Sequence, residues 1–117
     1  VEIHLGRAEQ LAHIKDLRES FDSVLTRAVA KLNTLAELTL PFCRIGGLSV
    51  AQKQTYVKKE TDQASHAFGI LGGKLKSQIN ISLGDLLYPR SLVVIRKEFS
   101  TPAKYPRKPG IPSKRPL

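Results

Sequence analysis

Three features of the chain carry residue types that could do chemistry. The first is Gly6-Arg7-Ala8-Glu9, a glycine turn running into a helix start and a carboxylate. Backbone N–H groups at such a point suit an adenine edge or an anion. The second is a pair of isolated cations, Arg27 and Lys53, each following an apolar run where a strand leaves a core. The third is the C-terminal run PAKYPRKPGIPSKRPL, Pro102–Leu117, with Lys104, Arg107, Lys108, Lys114 and Arg115 and no acid. Each has a simpler reading. A glycine after a strand is usually only a turn, and Arg27 could equally pair with Glu37 or Asp22. A basic, proline-rich terminus is most simply a solubilising tail. Tyr105 and the β pattern just upstream speak against that last reading.

No catalytic residues are assigned. His4, His13 and His66 have no metal-ligand spacing, so no metal site is expected. Nothing resembles a Ser-His-Asp set, and neither GxGxxG nor a P-loop occurs. The single Cys43 excludes an internal disulfide and reads as a small buried filler at a helix end.

Charge narrows the partner. The formal net charge is +9, and the residues from Arg96 onward contribute +6 of it. Positive charge gathered at one end suits a polyanion such as RNA. Five of the seven prolines lie in the last sixteen residues, which predicts an extended, partly polyproline II path over a surface. With 117 residues and 41% hydrophobic content the chain is one small domain with a core. No apolar run is long enough for a membrane span, and no secretory signal is visible, which leads to a cytoplasmic expectation.

The elements that must position these residues alternate. Val1–Leu5 has period-2 character and reads as a strand, followed by a short helix over Ala8–Ile14. Strands are expected at Phe21–Val29, Leu48–Lys53, Leu75–Leu83 and Ser91–Phe99. Helices are expected at Lys31–Phe42 and Tyr56–Leu71, closed by Gly46-Gly47 and Gly72-Gly73. The short connection 85–90 makes the last two strands antiparallel. The class is α/β: a parallel sheet with covering helices and a final antiparallel strand pair. A parallel sheet binds ligands at the carboxyl ends of its strands, where Gly6–Glu9, Arg27 and Lys53 all fall.

GRAE at 6–9, FDSVLTRAVAKL at 21–32, LAELTLPFCRIGG at 35–47 and VIRKEFSTPAKYPRKPGIPSKRPL at 94–117 together resemble one family. It is the bacterial small-subunit ribosomal RNA guanine-N7 methyltransferases, also called glucose-inhibited division protein B. The resemblance implies a class I, Rossmann-like fold using S-adenosylmethionine to methylate N7 of a guanine in the 530 loop of 16S rRNA. By position it implies that Ala8 and Glu9 hold the adenosine end of the cofactor and that Arg27 makes a further contact. Guanine N7 carries no proton, so the family's chemistry needs no general base, in keeping with the missing catalytic set.

The family's upstream half, with its glycine-rich cofactor loop, has no counterpart in this sequence. The expectation is the C-terminal half of the enzyme, residues 1–101 belonging to the methyltransferase domain and 102–117 to a basic tail. In the class I strand order the opening strand would then lack neighbours, and the next strand would show a bare edge. The loop after the third strand reads AQKQ, where a glycine after the lysine is expected. Expected partners are 16S rRNA or the small ribosomal subunit and the missing upstream half. Lys53, Lys104, Arg107, Lys108, Lys114 and Arg115 are the candidate phosphate contacts on charge. The alternative is a non-catalytic, basic RNA- or ribosome-binding module.

Overall fold

The computed structural model describes residues 1–27, 30–54, 58–81 and 90–117. Its elements run α1 (Ala8–Leu11), β1 (Phe21–Arg27), α2 (Leu32–Thr39), a 3-10 turn (Leu40–Phe42), β2 (Cys43–Lys53), α3 (Lys58–Ile70), β3 (Gly73–Ile81), β4 (Arg90–Lys97) and α4 (Ile111–Lys114). One sheet has the order β1-β2-β4-β3. β1 and β2 are parallel, and α2 makes their crossover. β4 lies antiparallel to both β2 and β3, so the expected antiparallel pair is present and forms one end of the sheet, with β4 inside and β3 at the edge.

Side-chain alternation decides which face is covered. Ser49, Ala51 and Lys53 of β2 and Ser91, Val93, Ile95 and Lys97 of β4 all point to one face and are buried. Leu32, Leu35, Ala36 and Leu40 recur at helical spacing and cover that face, joined by Ala64, Phe68 and Leu71 from α3 and its end. The opposite face carries Leu25 opposite Val50 and Val50 opposite Val94. It stays partly open: Leu25 is 74% and Ile79 48% exposed.

Two buried polar groups need an account. Lys97 is fully buried, and its Nζ donates to Leu40 O at 2.7 Å and Cys43 O at 2.9 Å, with Glu19 Oε2 at 3.1 Å. Burial pulls this ammonium below the usual lysine range despite Glu19. Cys43 is the expected buried filler, and burial pushes its thiol up, away from reactivity. At Gly72 (φ +89°) the chain turns left-handed beneath the Phe99 carbonyl, where any Cβ would collide.

Several sequence expectations change. Val1–Leu5 is exposed along its whole length and forms no strand, because among the described residues no neighbour offers it backbone hydrogen bonds. The proline-rich terminus is neither fully extended nor loose. Tyr105, Pro106 and Pro112 are buried, and Ile111–Lys114 makes a helical turn with Pro112 in its first turn, where a missing N–H costs nothing. Thr34 Oγ1 of α2 donates to Pro112 O at 3.0 Å. The first helix is shorter than expected, ending at Leu11, and the expected Lys31–Phe42 helix gives way after Thr39 to the 3-10 turn holding Pro41, so that Gly46 and Gly47 lie inside β2 instead of closing a helix. The expected strand ends beyond Arg27 and Ile81, the start of the Tyr56 helix and residues 85–89 of the 85–90 connection lie outside the described residues.

Candidate functional site

Glu9 is the most constrained member of the expected site. It is 6% exposed, and its Oε2 accepts from the Arg7 guanidinium at 2.8 Å and from the Gly110 N–H at 2.9 Å. Burial alone would push this carboxyl up. The Arg7 hydrogen bond and the Gly110 N–H outweigh it and hold the group below the usual glutamate range. Ala8 opens α1 beside it, half-buried. Glu9, Gln10 and His13 form one wall of a groove of about 580 Å³, and Lys104, Pro106 and Lys108 lie across it. His13 Nε2 donates to Pro106 O at 2.6 Å, which ties the two walls together.

Arg27 does not join this groove. It faces the open side of the sheet, in a separate depression of about 290 Å³ with Leu25, Val50, Gln52 and Leu92. The two carboxylates that might have neutralised it are taken. Asp22 accepts from Arg44 at 2.6 Å, and Glu37 belongs to Arg107. Among the described residues Arg27 has no ion pair, so its charge on the open face is not neutralised there.

The candidate phosphate contacts divide. Lys53 is 8% exposed, its Nζ donating to Ala30 O at 2.7 Å and pairing with Glu60 at 3.1 Å. It is therefore not a surface cation, because the β2 alternation turns it to the covered face. Arg107 is likewise spent inside the protein. Its guanidinium and backbone N–H all reach the fully buried Glu37, at 2.7–3.2 Å. Lys104, Lys108, Lys114 and Arg115 remain exposed, Lys104 lying 5.3 Å above the Tyr105 ring.

Sequence reasoning missed the groups that hold the terminus down. Arg18 donates to the carbonyls of Ala12, Thr101, Pro102 and Tyr105 at 2.8–3.1 Å. Glu19 accepts from the Thr101 N–H and from Ser100. One signal was available: Glu37 sits among Leu35, Ala36 and Leu40, and an acid on an apolar helix face requires a partner. Among the described residues no group of His, Cys, Asp or Glu could hold a metal, and no helix is long and apolar enough to cross a membrane.

The family profile described as "rRNA small subunit methyltransferase G" (GidB) matches residues 1–85. The chain belongs to the rRNA small subunit methyltransferase G family. A Ribosomal RNA small subunit methyltransferase G from Moorella thermoacetica is 45% identical over 117 residues, 100% of this chain and 49% of the relative. The methyltransferase G of an Exiguobacterium species is 44% identical over the same length and share. The chain thus spans about half the length of the curated relatives it matches, and it corresponds to the C-terminal portion of methyltransferase G. In fold, the crystal structure of the M1.HpyAVI–SAM complex superposes with a TM-score of 0.58 at 12% identity, covering 85% of this chain and 54% of that one. The sheet is that of a class I methyltransferase.

Proposed function

We propose that this chain supplies the C-terminal half of an S-adenosylmethionine-dependent methyltransferase acting on N7 of a guanine in the 530 loop of 16S rRNA, in the cytoplasm. The observation that carries the reading is the 45% identity along the whole chain to a relative twice its length. The place of β1 at the end of the sheet order, with no further strand beside it among the described residues, and the open apolar face support it, since both suit completion by an upstream half. Residues 1–101 form part of the methyltransferase domain, and the basic segment 102–117 serves the RNA side.

The residues present fit the cofactor. The Arg7 and Gly110 hydrogen bonds both run to Oε2, and since each carboxylate oxygen can accept more than one hydrogen bond, Oε1 keeps capacity for an adenosine amine or hydroxyl. Arg27 offers an uncompensated cation for a carboxylate. When bound, S-adenosylmethionine supplies an already activated methyl group. This chain's part is orientation: Ala8 and Glu9 fix the adenosine end and Arg27 the further contact. Because N7 has a free lone pair, no side chain must remove a proton, and alignment provides most of the rate. Lys104, Lys108, Lys114 and Arg115 meet RNA phosphates.

The piece alone is expected to bind cofactor weakly and to turn over nothing, because half the cofactor wall lies in the other part. Calorimetric titration of S-adenosylmethionine into the chain, alone and mixed with the upstream half of a relative, tests this. Binding and 7-methylguanosine formation only in the mixture support the reading. Turnover by the chain alone would refute the division of labour, and no binding in either case would refute the cofactor assignment.

A second reading, a non-catalytic RNA-binding module, draws on the four exposed cations held on an anchored segment. RNA affinity would then fall with salt by about 0.7–0.9 log units per log unit of salt for each phosphate contact, with no response to cofactor.

A further inference from the structure

A second cavity, of about 430 Å³, opens at the carboxyl end of β2 between the first turns of α2 and α3. Ala30, Lys31, Asn33, Lys53, Glu60 and Gln63 line it. It lies on the rim where parallel α/β sheets take their ligands, just downstream of Arg27, and its size suits a small molecule.

The polar groups at its floor are set in a fixed order. Glu60 Oε1 accepts from the Leu32 N–H at 2.8 Å and meets Lys53 Nζ at 3.1 Å. Lys53 Nζ also donates to Ala30 O. An ammonium has three N–H donors, so one remains, and among the described residues Glu60 Oε2 accepts nothing. A free carboxylate oxygen thus stands beside a free ammonium hydrogen, both held by other contacts.

We propose that this cavity reads the Watson–Crick edge of the target guanine, Glu60 Oε2 accepting from both N1–H and the exocyclic amine while Lys53 donates to O6. This rests on the reading of the chain as part of a guanine methyltransferase. Guanine offers donors at N1 and N2 beside an acceptor at O6. Adenine offers an acceptor at N1 beside a donor at N6, so in the pose that serves guanine both of its groups meet the wrong partner. Single-stranded RNA loops present this edge to proteins. Holding it leaves N7, on a different edge of the ring, free for methylation. Lys53 and Glu60 thereby act as specificity residues, and the basic C-terminal segment keeps the phosphates.

The test follows amide signals of the ¹⁵N-labelled chain during titration with guanosine, inosine and adenosine monophosphates. The phosphate is common to all three, so differences report the base. The guanine nucleotide is expected to shift Ala30, Lys31, Asn33 and Gln63 and to bind at least about tenfold tighter than the adenine nucleotide. Inosine, lacking the exocyclic amine, falls between. In Glu60→Gln the guanine-to-adenine ratio should collapse toward one, whereas a purely structural role would weaken both nucleotides alike. If that variant fails to fold, the inosine comparison decides without any substitution. Equal binding of the three nucleotides, shifts elsewhere, or no shift up to the solubility limit would overturn the proposal. Neither cofactor nor the upstream half is needed, so cofactor binding without base selectivity removes the reader and leaves the methyltransferase reading intact.

Discussion

The two ends of the chain have opposite fates. Val1–Leu5 has the alternation of a strand and stays exposed along its whole length, with Ile3 at 84% and Leu5 at 94%. Pro102–Leu117 has the composition of a loose tail and is fastened by the half-buried Arg107 on the fully buried Glu37, by Gly110 on Glu9 and by Arg18 on the carbonyls of Pro102 and Tyr105 and of Thr101 just before them. Local pattern proposes a conformation, but partners decide whether it exists. The first segment has the pattern and no partner. The second has a poor pattern and several partners.

The strongest way to break this contrast is Arg107→Ala, which strands a buried carboxylate. It should cost about 3–5 kcal/mol in chemical denaturation. A near-wild-type value would mean that the terminus is not anchored through Glu37. Arg18→Ala comes next, with an expected loss of about 1.5–3 kcal/mol for hydrogen bonds from a charged donor. The Thr101 and Tyr105 amides should lose exchange protection at the same time.

Acid should act on the same fastening more gently. Glu9 and Glu19 are both held below the usual glutamate range: burial raises each, and hydrogen bonds outweigh it. Their contribution is therefore complete above the unfolded value of about 4.3 and is lost as pH falls through the lower folded values. Gly110 and Thr101 amides should open below about pH 4, while the β2 and β4 amides stay protected. Loss of both sets together would show that the terminus and the sheet unfold as one unit.

Deleting residues 1–5 should change stability by no more than about 0.5 kcal/mol, since nothing covers them. The contrast sharpens if the upstream half of a relative is then added to the intact chain. Exchange protection is expected to appear at residues 1–5 and along β1, and unchanged exchange there would count against completion by that half.

Much of the architecture was legible because periodicity survives in single segments. β2 and β4 alternate, α3 gathers Ala64, Ala67 and Phe68 on one side, and Gly72 marks its end. The candidate site was less legible, since charge says nothing about a partner far away in sequence. Lys53 and Arg107 looked like surface cations until Glu60 and Glu37 were placed beside them. The opening strand failed for the converse reason: alternation describes one strand, and a sheet needs two.

The fastening of the terminus also bears on time. Glu37 and Arg107 are 70 positions apart, and Arg18 reaches carbonyls 83–87 positions away. Contacts that close such long loops form after the local ones, once the sheet has absorbed most of the entropy of closure. Interactions absent from the folding transition state govern the rate of escape from the native state. Arg107→Ala should therefore steepen unfolding kinetics and leave the refolding rate nearly unchanged. The pair would then act as a latch, setting how long the folded protein lasts while having little say in how quickly it is reached.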